Sequence, residues 1–287
     1  MKKLILFVCS AALPFLSYAQ DDLLDELEAE VETSQEGNYA DSAFKGLKIV
    51  NFESTKLAAK GDFYFVVSHR FGSVQNGIDD FFGLDNAVTK LSFLWGISDA
   101  FNVGIARSSF EKTYGAHVKY RIIRQKEKGF PFTIVGFNIV TANTELESDL
   151  LPRLEFQNRL SYTSQFLISR KFNKNFSLQL APSLVHENFV SFVDQDNTQF
   201  VLGIGGRHKL NKRWSINADY AYHFNRADNS PFRNALSIGF DLETGGHVFQ
   251  LHFTNAQPMF EDGFLANAAG DWTEGIFFFG FNLSRVF

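Results

Sequence analysis

Cysteine is nearly absent from this sequence: Cys9 is the single one in 287 residues, and it sits in an apolar stretch at the start of the chain. A disulfide framework and a cysteine-rich metal site are both excluded. Long apolar runs are missing as well. Beyond residues 4–16 no stretch is apolar over the roughly 20 residues that a membrane-spanning helix needs. An excess of positive charge is also lacking, with 27 basic against 32 acidic residues, so the basic stripe of a nucleic-acid-binding protein is not there and no nucleic-acid partner is expected. Seven histidines are present, yet none has ligand spacing. There is no His-Glu-x-x-His, and His247 and His252, five apart, point to opposite faces of a strand. No metal and no other cofactor is expected.

The N-terminus reads as a processing signal. Lys2 and Lys3 precede the apolar residues 4–16, and Ser17-Tyr18-Ala19 puts small residues at −3 and −1 of a cut between Ala19 and Gln20. Residues 1–19 are therefore a signal peptide, and Cys9 leaves with it.

Aromatic residues are what the chain has in abundance: 34 Phe, 8 Tyr and 3 Trp, while mean hydropathy stays slightly below zero. Polar residues alternate with the aromatics, as expected for a wall with lipid on one side and water on the other. From Gly61 onward the chain falls into segments of about ten residues with period-two alternation, divided by turn residues. The segments lie near 61–71, 87–97, 101–110, 114–124, 130–141, 157–170, 175–186, 199–209, 213–224, 233–243, 247–255 and 274–287. Their connections alternate: 72–86 is long, 98–100 tight, 142–156 long, 173–175 short, 187–198 long, 210–212 short, 225–232 long, 244–246 short and 256–273 long, while those near 111–113 and 125–129 fit this rhythm less sharply. That rhythm is the one of short periplasmic turns and longer external loops. The terminal segment ends at Phe287 with Phe277, Phe279, Phe281 and Leu283 on one face, similar to the assembly signal of outer-membrane barrels. Trp95, Phe101, Phe172, Phe176, Trp214 and Phe287 are candidates for a periplasmic aromatic belt, and Phe71, Tyr114 and Tyr222 for an outer one. The sequence thus predicts an all-β, membrane-spanning, antiparallel up-and-down barrel of about twelve strands over residues 61–287, in the cell outer membrane and in contact with its lipid.

Residues 20–60 differ in kind. They hold 10 acidic and 4 basic residues. Leu23, Leu24, Leu27 and Val31 suggest a short amphipathic helix, residues 35–41 a polar linker, and Phe44, Leu47, Ile49 and Val50 an extended piece packed against something. This short acidic N-terminal segment either hangs in the periplasm, where residues 20–43 could meet a protein partner, or enters the barrel as a plug.

With the apolar face of each strand turned to lipid, the opposite face supplies lumen-lining candidates: Arg70, Lys90, His117, Lys119, Arg159, Arg207, Asp219, His223, Asp241, Gln250 and His252. Basic residues outnumber acidic ones, which suits a narrow pore for small polar or anionic solutes. Val66, Leu94, Ile123, Val135, Phe137, Ile139 and Phe278 share the same parity, and they suit a blocked interior instead. Catalysis has little support. A lipid-active Ser-His pair would need a histidine near the outer rim, and His69 and His186 stand there with no serine tied to either by sequence. No catalytic residue is expected. The glycines Gly203, Gly205 and Gly206 lie within a strand pattern, where they read as relief at a bend in the wall rather than as a phosphate loop.

Several runs resemble a family of uncharacterised outer-membrane β-barrels of Bacteroidota: Ser68-His69-Arg70-Phe71-Gly72, Phe81-Phe82-Gly83-Leu84-Asp85, Arg107-Ser108-Ser109-Phe110-Glu111-Lys112, Gly203-Ile204-Gly205-Gly206-Arg207, Gly245-Gly246-His247-Val248-Phe249-Gln250-Leu251-His252-Phe253-Thr254-Asn255 and residues 279–287. The likeness spans from about Phe44 to the end. It implies the barrel fold and the location and brings no catalytic assignment. Two functions remain open: a narrow porin-like channel, or a closed accessory barrel that works through periplasmic or membrane partners. A lipid-active enzyme trails both.

Overall fold

In the computed structural model the described residues are 39–287 without 148, 150, 152, 191, 245 and 246. The signal peptide and the amphipathic helix expected before residue 39 lie outside them. Residues 40–287 form one compact unit.

Period-two alternation sends every second side chain to the same face, and here it produces twelve strands. They are β1 (Phe63–Ser73), β2 (Val88–Ser98), β3 (Phe101–Ser108), β4 (Tyr114–Ile123), β5 (Thr133–Ala142) and β6 (Leu160–Lys171), then β7 (Phe176–Glu187), β8 (Thr198–Lys209), β9 (Trp214–His223), β10 (Leu236–Thr244), β11 (His247–Thr254) and β12 (Phe278–Val286). Each strand pairs antiparallel with the next, and β1 closes on β12 through a register that sets Tyr64 opposite Val286 and Arg70 opposite Gly280. The result is a closed up-and-down barrel, which has no exposed sheet edge. Backbone bonds between Phe63 and Phe287 fasten the two chain ends at the short-turn end.

The outer face carries the aromatics. Phe71 stacks on Phe279 with centroids 5.6 Å apart, and Phe65 on Phe93 at 5.2 Å. At the short-turn end Phe63 touches Trp95 and Phe287, while Phe101, Phe172 and Trp214 stand exposed at the same level. Tyr114 and Tyr222 are exposed towards the long-loop end. Both expected belts are present.

The inner face does not enclose a free channel. Residues 43–58 enter the lumen from the short-turn end, turn at Val50-Asn51 and return to the same end before β1 begins. Inside, Ile49 N–H donates to Phe52 O and Ser54 N–H to Leu47 O, both at 2.8 Å, which makes a small hairpin without a long ladder. From the opposite end the β11–β12 loop folds inward and carries a short helix, α1 (Glu261–Ala266). The main apolar core is therefore inside the barrel, where Phe52 and Leu57 meet Val135, Phe137, Ile139 and Leu167 of the wall and Phe260, Phe264 and Leu265 of the loop. Phe52 and Phe264 pack edge to face with centroids 5.1 Å apart, an arrangement that aromatic quadrupoles favour.

Candidate functional site: the filled lumen

Strand parity brings most of the expected lining residues inward, and their charges are sorted around the ring. The buried cations Arg70, Lys90 and Lys119 lie on β1, β2 and β4. The buried carboxylates Glu187, Asp219 and Asp241 lie on β7, β9 and β10, the opposite arc. Arg207 on β8 is the exception, and it pairs with Glu243 and donates to Ser215 Oγ at 3.0 Å.

Charged groups of the wall hold the inserted segment at three points. Asp219 offers one carboxylate oxygen, Oδ2, to three successive backbone N–H groups, those of Val50, Asn51 and Phe52, at 3.0, 2.7 and 3.2 Å. A turn tip with converging N–H groups is a natural anion nest. Glu53 binds two lysines: Lys119 Nζ at 3.0 Å from the wall and Lys48 Nζ at 2.9 Å from its own segment. The third point is Arg70. It donates to Asn51 Oδ1 on the segment and, at 2.6 Å each, to Ala256 O and Pro258 O of the folded-in loop. One guanidinium thus joins wall, segment and loop, a use of its fixed fork of donors.

Gln250 donates to Ile49 O and, at 2.7 Å, to Asp241 Oδ1, and it accepts from Asn282 Nδ2 at 2.6 Å. His223 bonds Gln199 at 2.7 Å. His252 faces Arg70 Nε at 3.4 Å. Arg70 and His252 thus meet near the barrel seam.

The loop has its own charge contacts. Lys90 Nζ donates to Met259 O at 3.0 Å and stands 3.9 Å from the Phe260 ring centroid, a cation–π contact. Glu261 lies 3.6 Å from Lys48 Nζ. Asp262 accepts from Thr141 Oγ at 2.8 Å, and burial, with the charge of Glu261, lifts its carboxyl above the ordinary value. A cavity of about 50 Å³ remains where segment, wall and loop meet, bordered by Lys48, Glu53, Lys90, His117, Phe137 and Glu261.

Three details depart from the sequence reading. Arg159 precedes β6 in a 3-10 turn (Phe156–Arg159), and its guanidinium donates to Asn143 O at 3.4 Å, so it braces a loop base instead of lining the lumen. Gly203 and Gly205 are inward recesses for the inserted segment: a Cβ on Gly203 would meet the Phe52 ring, and one on Gly205 would come within 2.5 Å of Ile49 Cδ1. Close approach of another chain segment, not a bend, accounts for them. Among the described residues the part of the leader inside the barrel is 43–58, whose charges are Lys45, Lys48, Glu53 and Lys56, so this lumenal piece carries more basic than acidic residues. His69 and His186, the rim histidines, bond Thr89 and Thr198 hydroxyls at 2.9 and 2.8 Å.

Sequence reasoning missed Lys48, Asn51, Glu53 and Glu261. The first three sit in a stretch with no strand period, and the last in a connection read as a plain loop. The one available signal was the run of unpaired apolar residues from Phe44 to Phe52.

No curated protein matches the sequence. Among solved structures, the KdgM porin shares 8% identity at a TM-score of 0.48, covering 79% of this chain and 99% of that one. The NanC porin shares 7% at 0.47, with 78% and 98% covered. The outer membrane protein Omp33 of Acinetobacter baumannii shares 9% at 0.42, with 80% and 100% covered. The family match is of a different order, since it runs over residues 44–287 and takes in the inserted segment together with the whole wall. The chain belongs to the family of membrane bound beta barrel domains (DUF5777).

Proposed function

We propose that the protein is a narrow porin-like channel of the outer membrane for small polar and anionic solutes, passing them when the segment 43–58 and the inward loop yield. The observation that carries this reading is the transverse sorting of charge, with Arg70, Lys90 and Lys119 on one arc of the wall and Asp219 and Asp241 on the other. Opposed charge across a narrow lumen orients and selects polar solutes. A wall built only to be sealed would be more stable with apolar residues of similar volume at those positions. In this reading the short-turn end faces the periplasm, residues 1–19 are cleaved on export, and the barrel is a conduit and not a catalyst.

A second reading is favoured by the contact of Phe52 with Phe264 and the apolar cluster around it, which fill the axis. It makes the protein a closed accessory barrel that meets a periplasmic partner through residues 20–43. Single-channel recording of the refolded mature chain in planar bilayers separates the two. Anion-selective openings, longer in an Asp219→Ala variant, support the channel. Silence from both, each shown to be folded, leaves the accessory barrel.

A further inference from the structure

We propose that Lys90 and Lys119 form a carboxylate-binding site on the lumen wall for solutes bearing two or more carboxylates, and that Glu53 and Glu261 are its built-in occupants. The inference deepens the channel reading and rests on it for its biological sense.

Lys48, Lys90, Glu53 and Glu261 border one cavity, and Lys119 of the wall reaches it through Glu53. Lys119 is fully buried, and Glu53 is its carboxylate partner, at 3.0 Å. Lys90, 4% exposed, has no carboxylate in ion-pair range among the described residues; it is held by Met259 O and the Phe260 ring. Glu261, 1% exposed, borders the same cavity with no hydrogen-bond donor on either oxygen among the described residues, and Lys48 stands 3.6 Å away. The origin of each group is what matters. Both cations of the proposed site belong to strands of the closed wall, β2 and β4. Both carboxylates belong to elements that only rest in the lumen, Glu53 on the inserted segment and Glu261 on α1. Withdrawal of those elements takes Glu53 from Lys119 and Glu261 from the cavity that Lys90 borders, leaving two wall ammonium groups that face the opened lumen. Fixed charge lining a narrow lumen selects solutes of the opposite charge, so the site calls for replacement carboxylates. A solute carrying two of them supplies what the segment and the loop take away, and the seated chain carboxylates hold weaker ligands out.

The test uses the refolded mature protein in lipid nanodiscs, with citrate as the probe, glycerol as the uncharged control and calorimetric titration as the readout. Glu53→Gln removes one competitor and leaves Lys119 open. Citrate affinity is expected to rise about tenfold or more over the unaltered protein, because the binding-competent fraction grows. Glu53→Gln combined with Lys119→Met, which removes both members of the pair, is expected to return affinity to the starting level, and glycerol to bind none of them. Glu261→Gln is the second variant should Glu53→Gln not fold, with the same direction expected. Equal citrate affinity in Glu53→Gln with and without Lys119→Met would overturn the site, as would no citrate binding by a folded Glu53→Gln or Glu261→Gln protein. Citrate binding in a barrel that never conducts keeps the site and removes the channel. Conductance indifferent to citrate in Glu53→Gln keeps the channel and removes the site.

Discussion

Arg70 and His252 lie on strands that do not pair, β1 and β11, yet they meet at 3.4 Å across β12 because Gly280 stands between them in both ladders. A Cβ at Gly280 would fall 2.7 Å from His252 Nε2 and 3.0 Å from Arg70 Cγ. Gly280→Ala is expected to push the guanidinium away from Ala256 and Pro258 and to destabilise the barrel by about 1–3 kcal/mol, the usual range for overpacking. Denaturant unfolding of the reconstituted variant gives the number. An unchanged midpoint would show that the seam adjusts freely.

Asp219 terminates the inserted hairpin. Removing its carboxylate in Asp219→Ala strands three buried N–H groups, and hydrogen bonds to charged groups contribute about 1.5–3 kcal/mol each. The segment is expected to leave the lumen far more often, which exposes Lys48 and Lys56 to trypsin added at the short-turn end. Cleavage no faster than in the unaltered protein would place the hold elsewhere.

Gly203 separates wall from filling in a different way. Gly203→Ala sets a methyl against the Phe52 ring, whereas Gly206→Ala, on the outward face of the same strand, meets only the flexible end of Leu178 at 2.8 Å. The first is expected to raise channel opening and the second to leave it as it was. Equal behaviour of the two would mean that Phe52 moves aside without consequence.

Asp262 gives the loop a pH dependence. Its folded value is raised above 3.8 by burial and by Glu261, and Glu111 and Glu187 add like charge nearby. A carboxyl raised on folding favours the docked state most below its unfolded value, and that advantage is lost as pH rises through the folded one. Docking of α1 is therefore firmest in acid and weakens above about pH 4. Protease sensitivity of the β11–β12 loop should rise with pH in the unaltered protein and rise less steeply in Asp262→Asn. Parallel curves would assign the dependence to another group.

How far the sequence could be read follows from what has a period. All twelve strands were legible, because a two-sided wall imposes alternation on every segment, and the same parity put Arg70, Gln250 and His252 among the lumen-lining candidates. Arg159 was misplaced because β6 starts one residue later, at Leu160, where parity no longer applies to it. The contacts that fill the lumen were not legible for a physical reason. Residues 43–58 satisfy their backbone through single side chains such as Asp219, Gln250 and Asn102, so no repeating pattern is needed. Likewise Gly203 and Gly205 point to a visitor in the lumen only once Phe52 and Ile49 are seen against them.

The path of the inserted segment bears on how the barrel forms. Most strand pairs are neighbours in sequence and can zip up as successive hairpins with little loop entropy. The β1–β12 seam and the lumenal contacts are different, for Val50 meets Asn282 across 232 residues and Asp219 across 169. Contacts of such span form late and slowly. Because the segment runs directly into β1, the strand that closes the ring, its lodging and the ring's closure are one event at the end of assembly. A chain halted before that step would be an open curved sheet with a loose N-terminal arm, and the same residues that obstruct the finished lumen would serve as the last clasp of the fold.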